Sequence, residues 1–112
     1  MRIKLKVKSK VWLEKEGRLV FGIGKATILN HIQKTGSINM AAKELNMSYR
    51  HAWSYIKSAE KRLGRALVIC TKGGASGGST KLTPYAKELL KNFFNLERQV
   101  KISVDQLYKK VF

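Results

Sequence analysis

Residues 36–63, GSINMAAKELNMSYRHAWSYIKSAEKRL, admit few arrangements other than two short helices packed across a tight turn. Ser37 stands where an N-cap belongs. Ile38, Ala41, Ala42 and Leu45 follow at the i, i+3, i+4, i+7 spacing that puts them on one helical face. Asn46 then interrupts the period, as a residue that enters the left-handed region at low cost, and Ser48 caps a second start. In the second helix Ala52, Ile56, Ala59 and Leu63 form one stripe, while Arg50, Ser54, Lys57 and Lys61 point the opposite way. Small side chains at Ala41, Ala42 and Ala52 let the two backbones approach closely. The pattern alone fits an ordinary αα-hairpin as well as a helix-turn-helix, and the rest of the chain separates them.

A chain of 112 residues is one domain with a modest core. It carries 23 Lys and Arg against 7 Asp and Glu, a formal charge of +16, which makes a polyanion its default partner. Charge alone does not separate nucleic acid from a membrane surface. With 44% hydrophobic residues and one proline, the charge decorates a fold rather than a disordered tail. Cys70 is the only cysteine, so no intrachain disulfide forms, and its apolar run, residues 66–70, reads as buried core. The N-terminus alternates charge with apolar residues, unlike a signal peptide, and no stretch approaches the ~18 apolar residues of a membrane span. The expected location is cytoplasmic.

Ile3, Leu5, Val7, Val11 and Leu13 alternate with Lys4, Lys6, Lys8, Lys10 and Trp12, which predicts a strand with one dry face. A turn at Glu16-Gly17 and a return over residues 18–23 make residues 1–23 a β-hairpin. Its lysine face either tracks phosphates or solvates and protects a sheet edge. Residues 24–35 form the next helix, with Ile28, Leu29 and Ile32 inward and Gly36 ending it, so that residues 24–64 are a three-helix core. His31 has no second ligand nearby and reads as a surface or core-edge residue; the sequence supports no metal site and no cofactor.

After Gly64, residues 66–82 place a short apolar strand before TKGGASGGSTK. The glycines match neither GxxxxGK[ST] nor GxGxxG, so a nucleotide loop is not indicated. A glycine-rich tip between Lys72 and Lys81 fits instead a β-wing whose bare backbone approaches sugar and phosphate. Thr83-Pro84 then starts a helix that runs to the end, residues 83–112. Positions 86, 93, 100 and 107 are Ala, Phe, Val and Leu, and positions 90, 97, 104 and 111 are Leu, Glu, Val and Val. At ~27 residues and ~40 Å this helix outreaches so small a domain. It either folds back or pairs with a second copy, and a homodimer through Leu90, Phe93, Val100, Val104 and Leu107 is the expectation. The predicted class is therefore α+β, mainly α: a winged helix-turn-helix with an N-terminal β-hairpin and a long C-terminal dimerisation helix.

The order of these pieces, with GSINMAAKELNMSYRHAWSYIKSAEKRLG followed by ALVICTKGGASGGSTKLT, resembles the N-terminal DNA-binding domain of the ModE-type molybdate-responsive regulators. Those share a winged-helix layout with the LysR-type regulators, and WLEKEGRLVFGIGKATIL looks like the hairpin and first helix of short, stand-alone relatives. The resemblance spans roughly residues 10–100. It implies a transcriptional regulator that dimerises through its first and last helices and binds operators near genes for molybdenum or tungsten uptake and cofactor use. Full-length members carry C-terminal oxyanion-binding domains, whereas this sequence ends at Phe112 in the dimer helix, which leaves sensing to a separate protein or to none.

By helical angle the residues placed to read double-stranded DNA are Ser48, Arg50, His51, Ser54 and Lys57, with Tyr49 at the flank. Arg50 is assigned to guanine O6/N7, with phosphate as its competing role. Trp53 and Tyr55 lie between the two faces and read as packing residues. Lys72, Lys81 and Ser37 are assigned to phosphates. A nonspecific architectural DNA-binding protein is the alternative. RNA binding lacks an RNP aromatic pair, and catalysis lacks a metal cluster and a nucleotide loop and has few carboxylates to draw on.

Overall fold

A computed structural model describes residues 3–71 and 79–112. Two strands, β1 (Leu13–Lys15) and β2 (Arg18–Phe21), precede three helices, α1 (Ile23–Thr35), α2 (Ile38–Glu44) and α3 (Tyr49–Leu63). A second antiparallel pair, β3 (Val68–Thr71) and β4 (Ser79–Leu82), leads into α4 (Pro84–Val111).

The expected strand over residues 3–13 is largely absent, and β1 keeps only its last residue, Leu13. Alternation supplies a dry face, but a strand also needs a partner. The returning strand is four residues long and gives way to α1 at Ile23, so residues 3–12 have no ladder to join. Ile3 and Leu5 are exposed, and only Val7, Val11 and Leu13 are half-buried. The hairpin itself closes through Glu16 (φ 53) and Gly17 (φ 78), the left-handed pair of a type I′ turn. A register shift between Leu13 and Glu14 leaves Val20 as the extra residue of β2. That bulge lets neighbouring residues Val20 and Phe21 both enter the core.

α1 lies at the centre, packed on α2, α3, α4 and both strand pairs. Ala26, Ile28, Leu29 and Ile32 from it meet Ile38, Ala41, Ala42, Ala52, Ile56 and Ala59 from the helix pair. Gly36 (φ 73) and Gly64 (φ 71) close α1 and α3, and Asn46 (φ 55) turns α2 into α3. Ser37 and Ser48 accept hydrogen bonds from the N–H groups of Met40 and His51 at 3.1 and 3.0 Å. His31, half-buried, bonds through Nδ1 to Glu44 Oε1 at 2.7 Å and ties α1 to α2.

α4 changes character along its length. Ala86, Leu90 and Phe93 are buried, and Phe93 meets Phe21 edge-on at 5.2 Å between ring centres. Leu90 and Phe93 therefore do not serve as contacts to a second copy. The heptad pattern placed them correctly on the inner stripe, but the protomer's own core occupies that part of it. Beyond Phe94 no residue of α4 is buried: Val100 and Val104 are half-covered, Leu107 is 58% exposed and Val111 75%. Val7 of the N-terminal segment shares a groove with Phe94 and Val104, which accounts for part of that cover. The projecting helix raises the radius of gyration to 17.3 Å, against about 13 Å for a compact chain of this length. Among the described residues no helix is long and apolar enough to cross a membrane.

One carboxylate joins α3 to the second strand pair. Glu60 accepts from the N–H groups of Leu67 and Val68 at 2.8 and 3.3 Å and pairs with Lys57 at 3.1 Å. Burial pushes its carboxyl up, but the bonds from Leu67, Lys57 and Val68 together outweigh it and hold the group below the usual carboxylate range. A carboxylate depressed on folding adds stability that is complete above its unfolded value, near pH ~4.3, and is lost as pH falls through the folded one. Glu60→Gln should therefore flatten the acid limb of a plot of urea midpoint against pH. Parallel curves for the two proteins would deny the contact any net effect.

Candidate nucleic-acid interface

The apolar stripe of α3 is buried, which fixes what its other side presents. Tyr49, Arg50, His51, Trp53, Ser54 and Tyr55 are exposed. No acidic residue occupies the first turn, so the partial positive charge of the helix start is left uncompensated. The His51 and Tyr55 rings meet edge-on at 5.1 Å, and Lys57 lies 5.6 Å from the centre of the Trp53 ring. With its ammonium also held by Glu60, Lys57 is a tethered cation rather than a free one. Arg50 has no such tether among the described residues.

Trp53 departs from the packing role expected of it, and Tyr55 keeps that role in part. Trp53 is 43% exposed; Tyr55 is 38% exposed, and its ring lies against α1 with the Lys25 ammonium 4.7 Å from its centre. Both sit beside the apolar stripe at angles that hydrophobicity alone does not assign. The signal was their interleaving with Arg50, Ser54 and Lys57, a mixture of aromatic and basic side chains suited to nucleic acid. Lys25 is itself buried, and burial, then the charge of Arg62, push its pKa down.

The wing root is fixed to the junction of α1 and α2. The Thr80 N–H donates to the Gly36 carbonyl at 2.8 Å, between α1 and α2. The ladder pairs Val68 with Leu82, Ile69 with Lys81, Cys70 with Thr80 and Thr71 with Ser79. Lys81 is exposed on β4, on the strand that carries this contact. Lys72 and the glycine-rich tip lie outside the described residues. Ser37 is half-buried, and its hydroxyl oxygen is already engaged in capping α2. Cys70 is exposed rather than buried: the strand of the wing packed on α1 is β4, whose Thr80 and Leu82 are buried, whereas β3 is covered only at Val68. Among the described residues, no three His, Cys, Asp or Glu side chains gather closely enough to hold a metal ion.

A helix pair with an open second helix, followed by a two-stranded wing anchored at the turn before it, defines a winged-helix DNA-binding domain. The chain belongs to the lysR family of bacterial regulatory helix-turn-helix proteins, which it matches over residues 24–87. It is accordingly a DNA-binding regulator of transcription.

The Transcriptional regulator ModE of Haemophilus influenzae is 42% identical over 74 residues, 66% of this chain and 29% of that protein. The Molybdenum transport protein ModE of Herbaspirillum seropedicae is 43% identical over 72 residues, 64% of this chain and 27% of that protein. The chain thus spans under a third of the length of these relatives. Among solved structures, the CbnR_DBD-DNA complex superposes with a TM-score of 0.60 at 17% identity, covering 80% of this chain and 97% of that one. The BenM_DBD/benA site 1 DNA complex gives 0.56 at 19% identity, covering 77% and 91%. At such identities the likeness is one of fold.

Proposed function

We propose that the chain acts in the cytoplasm as a homodimer that reads DNA sequence with the first two turns of α3. The observation that carries this is the uncovered start of α3, where Arg50, His51 and Ser54 stand free of the core beside exposed aromatic rings. Tyr49 and Lys57 flank the reading positions, Lys81 and the wing place the domain on phosphates, and Ser48 sets the start of the helix. The incompletely covered stripe at Val100, Val104 and Leu107 meets its counterpart on a second copy. The ModE names of the relatives point to operators of molybdenum-related genes.

Selection of duplexes from a random pool at ~0.15 M salt, where nonspecific binding is weak, tests the reading. A two-fold symmetric motif is expected, and a pool without a motif would support an architectural binder instead. On the selected duplex, Arg50→Ala should cost ~1–3 kcal/mol of discrimination at one base position. Equal weakening on every sequence would assign Arg50 to a phosphate.

A further inference from the structure

The cationic face of α3 does not end with the turns that read bases. Lys61 lies three turns beyond Arg50 and, at 100° per residue, within about 20° of it around the helix. There α3 meets the β1–β2 hairpin, and the two enclose an open cleft of about 810 Å³. Lys15 and Arg18 line it from the hairpin, and Ser58, Lys61 and Arg62 line it from the helix. Glu16 is its one carboxylate, set at the turn. Arg62 donates to the Leu19 carbonyl at 2.7 Å and so holds the hairpin against the helix. Neither ion pair formed among the described residues includes Lys15, Arg18 or Lys61.

Several like charges that outnumber the one carboxylate beside them, and form no ion pair with it, favour an external anion. Arg50 to Lys61 spans about 16 Å along the helix axis, whereas the major groove is about 12 Å wide. With Arg50 at base edges, Lys61 therefore reaches the phosphate wall of the groove. The hairpin precedes the residues matched to the family, 24–87.

We infer that the β1–β2 hairpin is a second wing, and that Lys15, Arg18 and Lys61 grip the phosphates of the same duplex whose bases α3 reads. The inference rests on the proposed role of α3 and extends the footprint past the helix-turn-helix.

Its test is the salt dependence of binding to the selected duplex for the whole chain and for Lys15→Gln/Arg18→Gln/Lys61→Gln. Thermal melts confirm that both are folded. Each phosphate contact contributes ~0.9 to the slope of log affinity against log salt, so the variant should lose up to ~2.7 while keeping its preference for the selected sequence. A duplex shortened on the hairpin side should cost the wild type a similar slope and leave the variant unchanged. An unchanged slope in the variant overturns the inference, as does competition by inorganic phosphate at fixed ionic strength with that slope intact, which would indicate a small-anion site. Failure of the α3 reading looks different: the wild type itself would then show no sequence preference, whatever its slope.

Discussion

Phe93→Ala should destabilise the folded protomer by about 3–5 kcal/mol, the usual cost of emptying a buried aromatic site. The Phe93 side chain is 2% exposed and braces Phe21 of the hairpin across the core. Since a domain of this size holds roughly 5–15 kcal/mol in all, the variant should melt far below the wild type and lose much of its folded population in dilute urea. The loss should not depend on protein concentration, because the contact lies within one chain. A gap between variant and wild type that closes as concentration rises would instead return Phe93 to a surface between two copies.

The converse substitution concerns the far half of the same helix. Val100→Lys/Leu107→Lys should leave the melting of the protomer core nearly unchanged and yield a monomer in sedimentation. Two domains on adjacent half-sites bind with an effective concentration that a lone domain lacks, so affinity for a symmetric duplex should fall by roughly 10²–10⁴-fold. Affinity for a single half-site should hardly change. A wild type that sediments as a monomer at high concentration, alone and on the symmetric duplex, would end the dimer reading.

These two substitutions mark the boundary between what could be read from the sequence and what could not. The helix-turn-helix was legible because its ends are decided locally. Ser37 and Ser48 cap by bonding the N–H three residues on, Gly36 and Gly64 take the left-handed conformation, and Asn46 joins the helices. Thr83 and Pro84 announced α4 for the same reason. The departures occur where a residue's place depends on a distant part of the chain. The heptad stripe of α4 is continuous in sequence, yet Leu90 and Phe93 lie under the domain and Leu107 does not; only the position of α1 and the hairpin decides this. The alternation of residues 3–12 promised a strand, but β2 is too short to pair with it. Cys70 follows an apolar run and is still exposed, since β4 rather than β3 is the strand that packs on α1. At the interface the positions of Arg50, His51 and Ser54 followed from helical angle, whereas the exposure of Trp53 and Tyr55 required knowing where the core stops.

Thr83 does more than start a helix. Its hydroxyl donates to the Ala66 carbonyl at 2.8 Å while accepting from the Ala86 N–H, and its own N–H donates to the Leu67 carbonyl at 3.0 Å. The strand leaving the wing and the helix entering α4 are thereby clamped at one residue. In a dimer, α4 becomes a lever arm with its fulcrum at that clamp. Any change in the crossing angle of two such arms would swing the wings apart or together as rigid jaws. The spacing of DNA sites the dimer can straddle would then be set far from the bases, by residues that never touch them.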